Sequence, residues 1–166
     1  MRISVIIPAY NAASTLAECL ESVVRQSVRP FEVILVDDGS TDNTRRVAVK
    51  FEAKLTLRIV SQSNSGLGKA RNAGMAAATG DAYAFLDADD MWLPGKLEQG
   101  VKALLKYPKT HWFYTPILEW TPDKENSTRK RACSQISSLR SFLSYNPIVP
   151  STIIMRSGFD YAWEND

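Results

Sequence analysis

The pattern of apolar and polar stretches predicts an α/β protein: a three-layer α/β/α sandwich around a mostly parallel central sheet. Three observations carry that expectation. Between Ile3 and Leu86 the chain reads β-α-β-α-β-α-β, an alternation that builds parallel sheets with right-handed crossovers. Ala82–Leu86 (AYAFL) is a short, nearly continuous apolar run, as expected of a strand covered on both faces. The loops Pro8–Asn11, Asp37–Asp42 and Asp87–Asp90 each follow a predicted strand. In a parallel sheet all three open on the carboxyl edge, where ligands bind.

Taken in order, Ile3–Ile7 is the first strand, expected to end at Pro8 because proline cannot donate to a ladder. Asn11 or Ser14 can cap the next helix, in which Leu16, Leu20, Val23 and Val24 recur at helical spacing. Phe31–Val36 is the second strand, followed by a helix over Asp42–Phe51 capped by Thr41 or Asp42. Leu55–Val60 is the third strand, and the polar loop Ser61–Gly68 leads into an alanine-rich helix, Lys69–Thr79, that stops at Gly80. After the fourth strand, Pro94 opens an amphipathic helix to Lys106. Trp112–Trp120 reads as a strand interrupted at Pro116, Thr121–Ser134 as loop and Ile136–Tyr145 as a short helix. Thr152–Arg156 is a last strand and Ser157–Asp166 a tail.

The 166 residues suit one domain, with 45% hydrophobic and 23% charged residues and a net charge of +2. That balance argues against a nucleic-acid partner. The one basic excess, Lys124–Arg131 (KENSTRKR), is either a solvated loop or a contact for an anionic membrane surface. Cys19 and Cys133 form neither a disulfide framework nor a metal spacing, and Cys19 falls on an apolar helix face. His111 has no partner at ligand spacing and is structural. The opening MRISVIIPAY is too short and proline-broken for a signal peptide, and no window approaches the roughly 18 apolar residues of a membrane span. A cytoplasmic protein is expected.

The loops carry the chemistry. Asp87, Asp89 and Asp90 crowd three carboxylates at one strand end, where a hard divalent ion, Mg2+ or Mn2+, would relieve their repulsion. The alternative is an Asp-rich turn capping the following helix. Tyr10 offers a ring face to a planar base, or is a surface tyrosine. Asp38 could accept from a ring N–H, or hold an Asx turn before Gly39; Asp37 is the better turn-holder. Asn64–Arg71 (NSGLGKAR) puts Lys69 and Arg71 on the first turns of a helix, a setting that favours phosphate. Its G-x-G does not complete a dinucleotide fingerprint, because position 71 is Arg and the preceding strand is the third.

Ile3–Asn11 (ISVIIPAYN), Val36–Asp42 (VDDGSTD), Asn64–Gly74 (NSGLGKARNAG), Gly80-Asp81 and Phe85–Asp90 (FLDADD) occur in order with matching spacing. Together they resemble the nucleotide-sugar half of the family 2 glycosyltransferases, which have the glycosyltransferase A-type fold. The resemblance covers residues 2–107 densely and the rest loosely. It implies a single domain over 1–166, with 1–107 binding a nucleotide-diphosphate sugar and 108–166 an incomplete acceptor-side half, truncated at the C-terminus. It further implies transfer, with inversion, from a UDP-sugar to a saccharide or lipid-linked acceptor in cell-envelope polysaccharide or glycoconjugate synthesis, in the cytoplasm or at the membrane periphery.

The donor-binding residues so implied are Pro8, Tyr10, Asn11, Asp38, Gly66, Lys69, Arg71, Asp87 and Asp89, with Asp87, Asp89 and Asp90 on the metal. An inverting displacement needs one carboxylate base to take the acceptor's proton. Family members carry an acidic pair opening a helix after a segment like Ser157–Asp160; here Glu164-Asn165-Asp166 stands in that place. Asp166 is therefore the first candidate for the base and Glu164 the second. Two other readings remain: a nucleotide-sugar-binding fragment with little turnover, and an aspartate-nucleophile phosphatase built on Phe85–Asp89, against which Met91 stands where Thr or Val is wanted.

Overall fold

The computed structural model describes residues 1–115, 117–120, 128–131, 149–159 and 162–164. Its main sheet has six strands in the order β3-β2-β1-β4-β8-β5. Strands β1 (Ile3–Ala9), β2 (Glu32–Asp37), β3 (Leu57–Ser61) and β4 (Ala82–Phe85) run parallel, as the alternation predicts. Two later strands extend the sheet at the β4 edge: β8 (Ile153–Arg156) pairs antiparallel with β4 on one side and with β5 (Trp112–Tyr114) on the other, so β8 alone runs against the rest. The sheet is thus mixed.

Every residue of β1 is buried, because helices cover both faces of the sheet. Ile3, Val5 and Ile7 pack with Leu16, Leu20 and Val23 of α1 (Leu16–Val24) and with Leu97 and Leu104 of α4 (Lys96–Lys106). Ala48 of α2 (Thr44–Val49) lies in the same cluster. The alternate residues face the other way: Ile6 packs with Phe85 and Met75, and Ile34 and Val36 with Ala70, all against α3 (Leu67–Ala77). The period-two alternation of a strand divides one apolar sequence between two cores.

Several local expectations are revised. Pro8 lies inside β1, opposite Val36. The Ile3 and Ala9 carbonyls accept bonds from the β2 side and the Ile6 carbonyl from Leu86 on the β4 side. That alternation turns the proline nitrogen toward β4, whose pairing with β1 ends at Phe85, the point at which proline has no N–H to carry the ladder on. Helix α1 is N-capped by Thr15 with no side-chain cap bond, and neither Asn11 nor Ser14 caps it. Helix α2 starts after Asn43, but Asp42 accepts the Thr44 N–H at 2.9 Å and so satisfies a first-turn donor. Helix α3 ends at Ala77 with Ala78 as its C-cap. Gly80 serves close approach instead: a Cβ there would sit 2.6 Å from Ser4 Oγ and 2.9 Å from the Arg2 carbonyl. Helix α4 begins at Lys96, after Pro94 and an N-cap Gly95 at φ +92°.

The stretch read as loop over Thr121–Ser134 contains a strand. β7 (Thr128–Arg131) pairs antiparallel with β6 (Ile117–Trp120) in a separate two-stranded sheet. Polar composition hid it, since TRKR lacks the apolar alternation of a half-buried strand. The expected helix at Ile136–Tyr145, Cys133 and Asp166 lie outside the described residues. Among the described residues no helix is long and apolar enough to cross a membrane.

Gly74 on α3 is the tightest contact between helix and sheet. An added Cβ would lie 2.3 Å from Ile6 Cγ2 and 3.3 Å from Val36 Cγ2, both on buried strands. Gly74→Ala should therefore destabilise the protein by about 1–3 kcal/mol in chemical denaturation, although alanine is the better helix former. An increase in stability would show that α3 rides further from the sheet.

Candidate active site

The three loops predicted to converge do meet at the carboxyl edge of β1, β2 and β4. The first two are stitched together by side chains. Asn11, at φ +49°, accepts the Thr41 N–H on Oδ1 at 2.8 Å, and its own N–H donates to Ser40 Oγ at 3.0 Å. Asparagine tolerates that left-handed backbone better than most residues. Ala12 N–H donates to Thr44 Oγ1 at 2.7 Å, and Ala13 N–H to Asp42 Oδ2 at 3.0 Å. Tyr10 projects between these anchors, half exposed. Asp37 accepts the Ser40 N–H at 3.0 Å and holds the turn, as expected.

Asp38 is 4% exposed, and its carboxylate organises the next loop. Oδ1 accepts from Gln62 Nε2 at 2.7 Å and Ser65 N–H at 2.9 Å, and Oδ2 from Gly66 N–H at 2.9 Å. It thus ties β2 to the entry of α3, where Gly66 sits at φ +90° as N-cap. The Asx turn considered for Asp38 before Gly39 belongs instead to Asp37. Gly39, at φ +79°, is needed for a second reason: a Cβ would stand 2.8 Å from the Asn64 nitrogen.

Lys69 is exposed on the first turns of α3, as expected. Arg71 is not. The residue is 7% exposed, and its guanidinium donates to Asp87 Oδ1 at 2.7 Å and lies 4.8 Å from the centroid of the Trp163 ring. Trp163 in turn packs edge-on against Phe85, with centroids 5.2 Å apart. The expected phosphate-binding arginine is thereby turned inward onto a carboxylate.

The three acids after β4 do not converge on one point. Asp87 faces Arg71; Asp90 accepts from Ser151 Oγ at 2.5 Å; Asp89 is exposed. Among the described residues no three His, Cys, Asp or Glu side chains are grouped to hold a metal ion. Two of the three expected ligands, Asp87 and Asp90, are each engaged by a protein partner. Their charges are still felt together. Burial raises the Asp90 carboxyl above the usual range, and Asp89 and Asp87 push it the same way against the Ser151 hydrogen bond. Cys19 lies beneath the loop with Sγ 3.6 Å from the Asp87 carbonyl, and burial, then Asp90, Asp87 and Asp89, push its thiol far up. A buried, fully protonated thiol agrees with the structural role expected for it. Exposed and half-buried carboxylates side by side still suit a hard divalent ion of the kind bound by one or two carboxylates together with a substrate's phosphates.

Sequence reasoning missed Ser151 and Lys96. Ser151 accepts the Asp87 N–H at 2.9 Å, donates to Asp90, and offers its carbonyl to Trp92 Nε1 at 2.8 Å. One residue thus braces both ends of the acidic turn from the other end of the chain. Its only signal was its place, just before the last predicted strand. Lys96 is buried, with Nζ 2.9 Å from Thr115 Oγ1 and 2.5 Å from the Thr152 carbonyl, and between the Trp92 and Phe113 rings. Burial brings its ammonium down to about 7. Of the two candidate bases, Glu164 is exposed immediately after Trp163, and Asp166 lies outside the described residues.

A mixed α/β sheet with acidic loops on the carboxyl edge defines the class: the glycosyltransferase A-type fold. The chain belongs to glycosyl transferase family 2, whose sequence profile matches residues 4–160. That match removes the phosphatase reading. Over 104 residues the chain is 36% identical to the UDP-Glc:α-D-GlcNAc-diphosphoundecaprenol β-1,3-glucosyltransferase of Escherichia coli, covering 63% of this chain and 41% of the relative. Residues 1–349 of Staphylococcus aureus TarS in complex with UDP-GlcNAc superpose with a TM-score of 0.63 and 35% identity, over 65% of this chain and 32% of TarS. The mannosyltransferase PcManGT of Pyrobaculum calidifontis in complex with GDP-Man and Mn2+ superposes with a TM-score of 0.63 and 30% identity, over 67% of this chain and 34% of that one. The chain spans between a third and two fifths of the length of these relatives.

Two outcomes test this geometry. Asp38→Ala strands three part-buried donors and should lower stability by on the order of 2 kcal/mol, whereas Tyr10→Ala, half exposed, should stay within about 0.5 kcal/mol; equal effects would refute the bracing role. Between about pH 7 and 10.5 the unfolded chain holds a proton on Lys96 that the folded protein does not. Stability should therefore rise with pH in that window, by up to about 1.4 kcal/mol per unit, relative to Lys96→Met. Parallel pH–stability curves for the two proteins would contradict the buried-lysine assignment.

Proposed function

We propose that this chain binds a nucleotide-diphosphate sugar, a UDP-sugar first among them, and transfers the sugar with inversion to an acceptor hydroxyl. The observation that carries the reading is the meeting of three braced loops at one sheet edge, with exposed Asp89 beside half-buried Asp90. The family membership supports it, as do the UDP-GlcNAc in the TarS complex and the GDP-Man and Mn2+ in the PcManGT complex.

In this reading residues 1–107 hold the donor and 108–166 begin the acceptor side. The ring face of Tyr10 meets the base. Three acceptor sites of Asp38 are in use, and a carboxylate offers about four, so one is left for a ring N–H. Pro8 and Asn11 shape the base-binding loop, and Gly66 and Lys69 present the helix N-terminus and a cation to the diphosphate. Asp89 and Asp90 offer oxygens to a divalent ion, Mg2+ or Mn2+, while Asp87, held by Arg71, faces the ribose. When bound, that ion acts as a Lewis acid on the departing diphosphate. Glu164 or Asp166 takes the acceptor's proton.

The E. coli relative's lipid-linked acceptor supports a saccharide or lipid-linked acceptor here, and cell-envelope polysaccharide synthesis as the setting. Contact of Lys124–Arg131 with an anionic membrane, at the cytoplasmic periphery, belongs to the same proposal. A second reading, donor binding with little transfer, is favoured by one observation: the three loops at the sheet edge lie within residues 1–90, whereas Glu164, a candidate base, is exposed.

Uridine diphosphate with Mn2+ should raise thermal stability, by about 2.7 kcal/mol at a hundred times its dissociation constant. Asp89→Asn should abolish the Mn2+-dependent part. Unchanged metal dependence in that variant would overturn the site assignment.

A further inference from the structure

Two adjacent residues of α3 reach opposite sides of the site. Arg71 grips Asp87 on the loop after β4, and Asn72 grips Trp163, the residue before Glu164. The Asn72 contact is bidentate: Nδ2 donates to the Trp163 carbonyl at 2.8 Å, and the Trp163 N–H donates to Oδ1 at 2.8 Å. A side-chain amide that closes both main-chain groups of one residue imitates a strand neighbour. It fixes position and direction together. The Trp163 ring is clamped from two other directions, by Phe85 edge-on at 5.2 Å and by the Arg71 guanidinium at 4.8 Å. The last described residues are thus held although they belong to no regular element, and exposed Glu164 directly follows the residue whose ring lies on the guanidinium of the Arg71–Asp87 pair.

We propose that Asn72 is a positioning residue that sets the acid following Trp163 against the donor loop. The inference rests on the reading that this acid is the base. It acts through Trp163 and touches neither donor nor acceptor. Because Arg71 and Asn72 are consecutive on one rigid helix, the spacing between the donor carboxylates and the emerging acid is set by α3 and not by the tail. A base must stand within about 2.6–3.2 Å of its proton, and a misplacement of about 1 Å can cost on the order of a hundredfold in rate.

The test uses the whole chain, Asn72→Ala and Asn72→Asp, with three readouts: amide exchange at Trp163, the dissociation constant for uridine diphosphate with Mn2+, and release of uridine diphosphate from a panel of UDP-sugars. Asn72→Ala should free the Trp163 amide and lower kcat about a hundredfold, with nucleotide affinity unchanged within about twofold. Asn72→Asp keeps the oxygen that accepts the Trp163 N–H and should recover part of both losses. Retained kcat with a freed amide overturns the proposal, as does an unchanged amide. Affinity falling in step with kcat also overturns it, because Asn72 would then belong to the donor site. If the intact protein binds uridine diphosphate but releases none from any donor, the transferase reading fails, and the positioning role with it. Normal turnover that Asn72→Ala leaves untouched defeats the positioning role alone.

Discussion

The mouth of the site depends on one ion pair. Arg71 and Asp87 meet at 2.7 Å with side chains 9% and 21% exposed, a setting in which the desolvation of two charges offsets much of their attraction. Such a pair adds little net stability compared with apolar packing, yet losing one partner costs about 3–5 kcal/mol because the other is left charged and buried. Its worth lies in specification. It locks the end of β4 to the second turn of α3, so the acidic turn cannot slide along the sheet edge. The Arg71 Nε has no hydrogen-bond partner among the described residues, and the Trp163 ring over the guanidinium supplies a cation–π contact strengthened by desolvation.

That lock explains how three neighbouring carboxylates acquire three environments. Asp87 is neutralised by Arg71, Asp90 is half-buried on Ser151, and Asp89 is left to solvent. A turn that merely capped a helix would need none of this bracing. The bracing comes from far along the chain: Ser151 precedes β8, and β8 pairs directly with β4 through Ala82, Tyr83 and Ala84. The late antiparallel strand therefore belongs to the same sheet that carries the acidic turn, and the bracing of that turn is a long-range contact.

What the sequence made legible follows from which interactions are local. Strand and helix order were readable because burial on both faces leaves continuous apolar runs such as FEVILV, and because helix periodicity shows in Leu16, Leu20 and Val23. Loop positions followed from that order. Side-chain partners did not. Lys69 and Arg71 look alike in NSGLGKAR, and only the third dimension leaves one exposed and buries the other against Asp87. Asp38 read as a ligand or a turn, whereas its three hydrogen bonds close a loop 24 to 28 residues away. Strand β7 was invisible because its pairing with β6 owes nothing to an apolar alternation in TRKR.

The same reasoning bears on where chemistry can be tuned without loss of the fold. Residues that brace the loops, namely Asn11, Asp38, Asp42 and Ser151, hold backbone donors or neighbouring carboxylates. Their substitution unsettles several elements at once. Tyr10 and Asp89 project from braced backbone and are half-exposed and exposed. A site that separates scaffold residues from projecting ones in this way can change what it binds by substitution at the projecting positions alone. Substitution at the rim should accordingly leave stability nearly unchanged, while the sheet edge that carries those side chains stays the same.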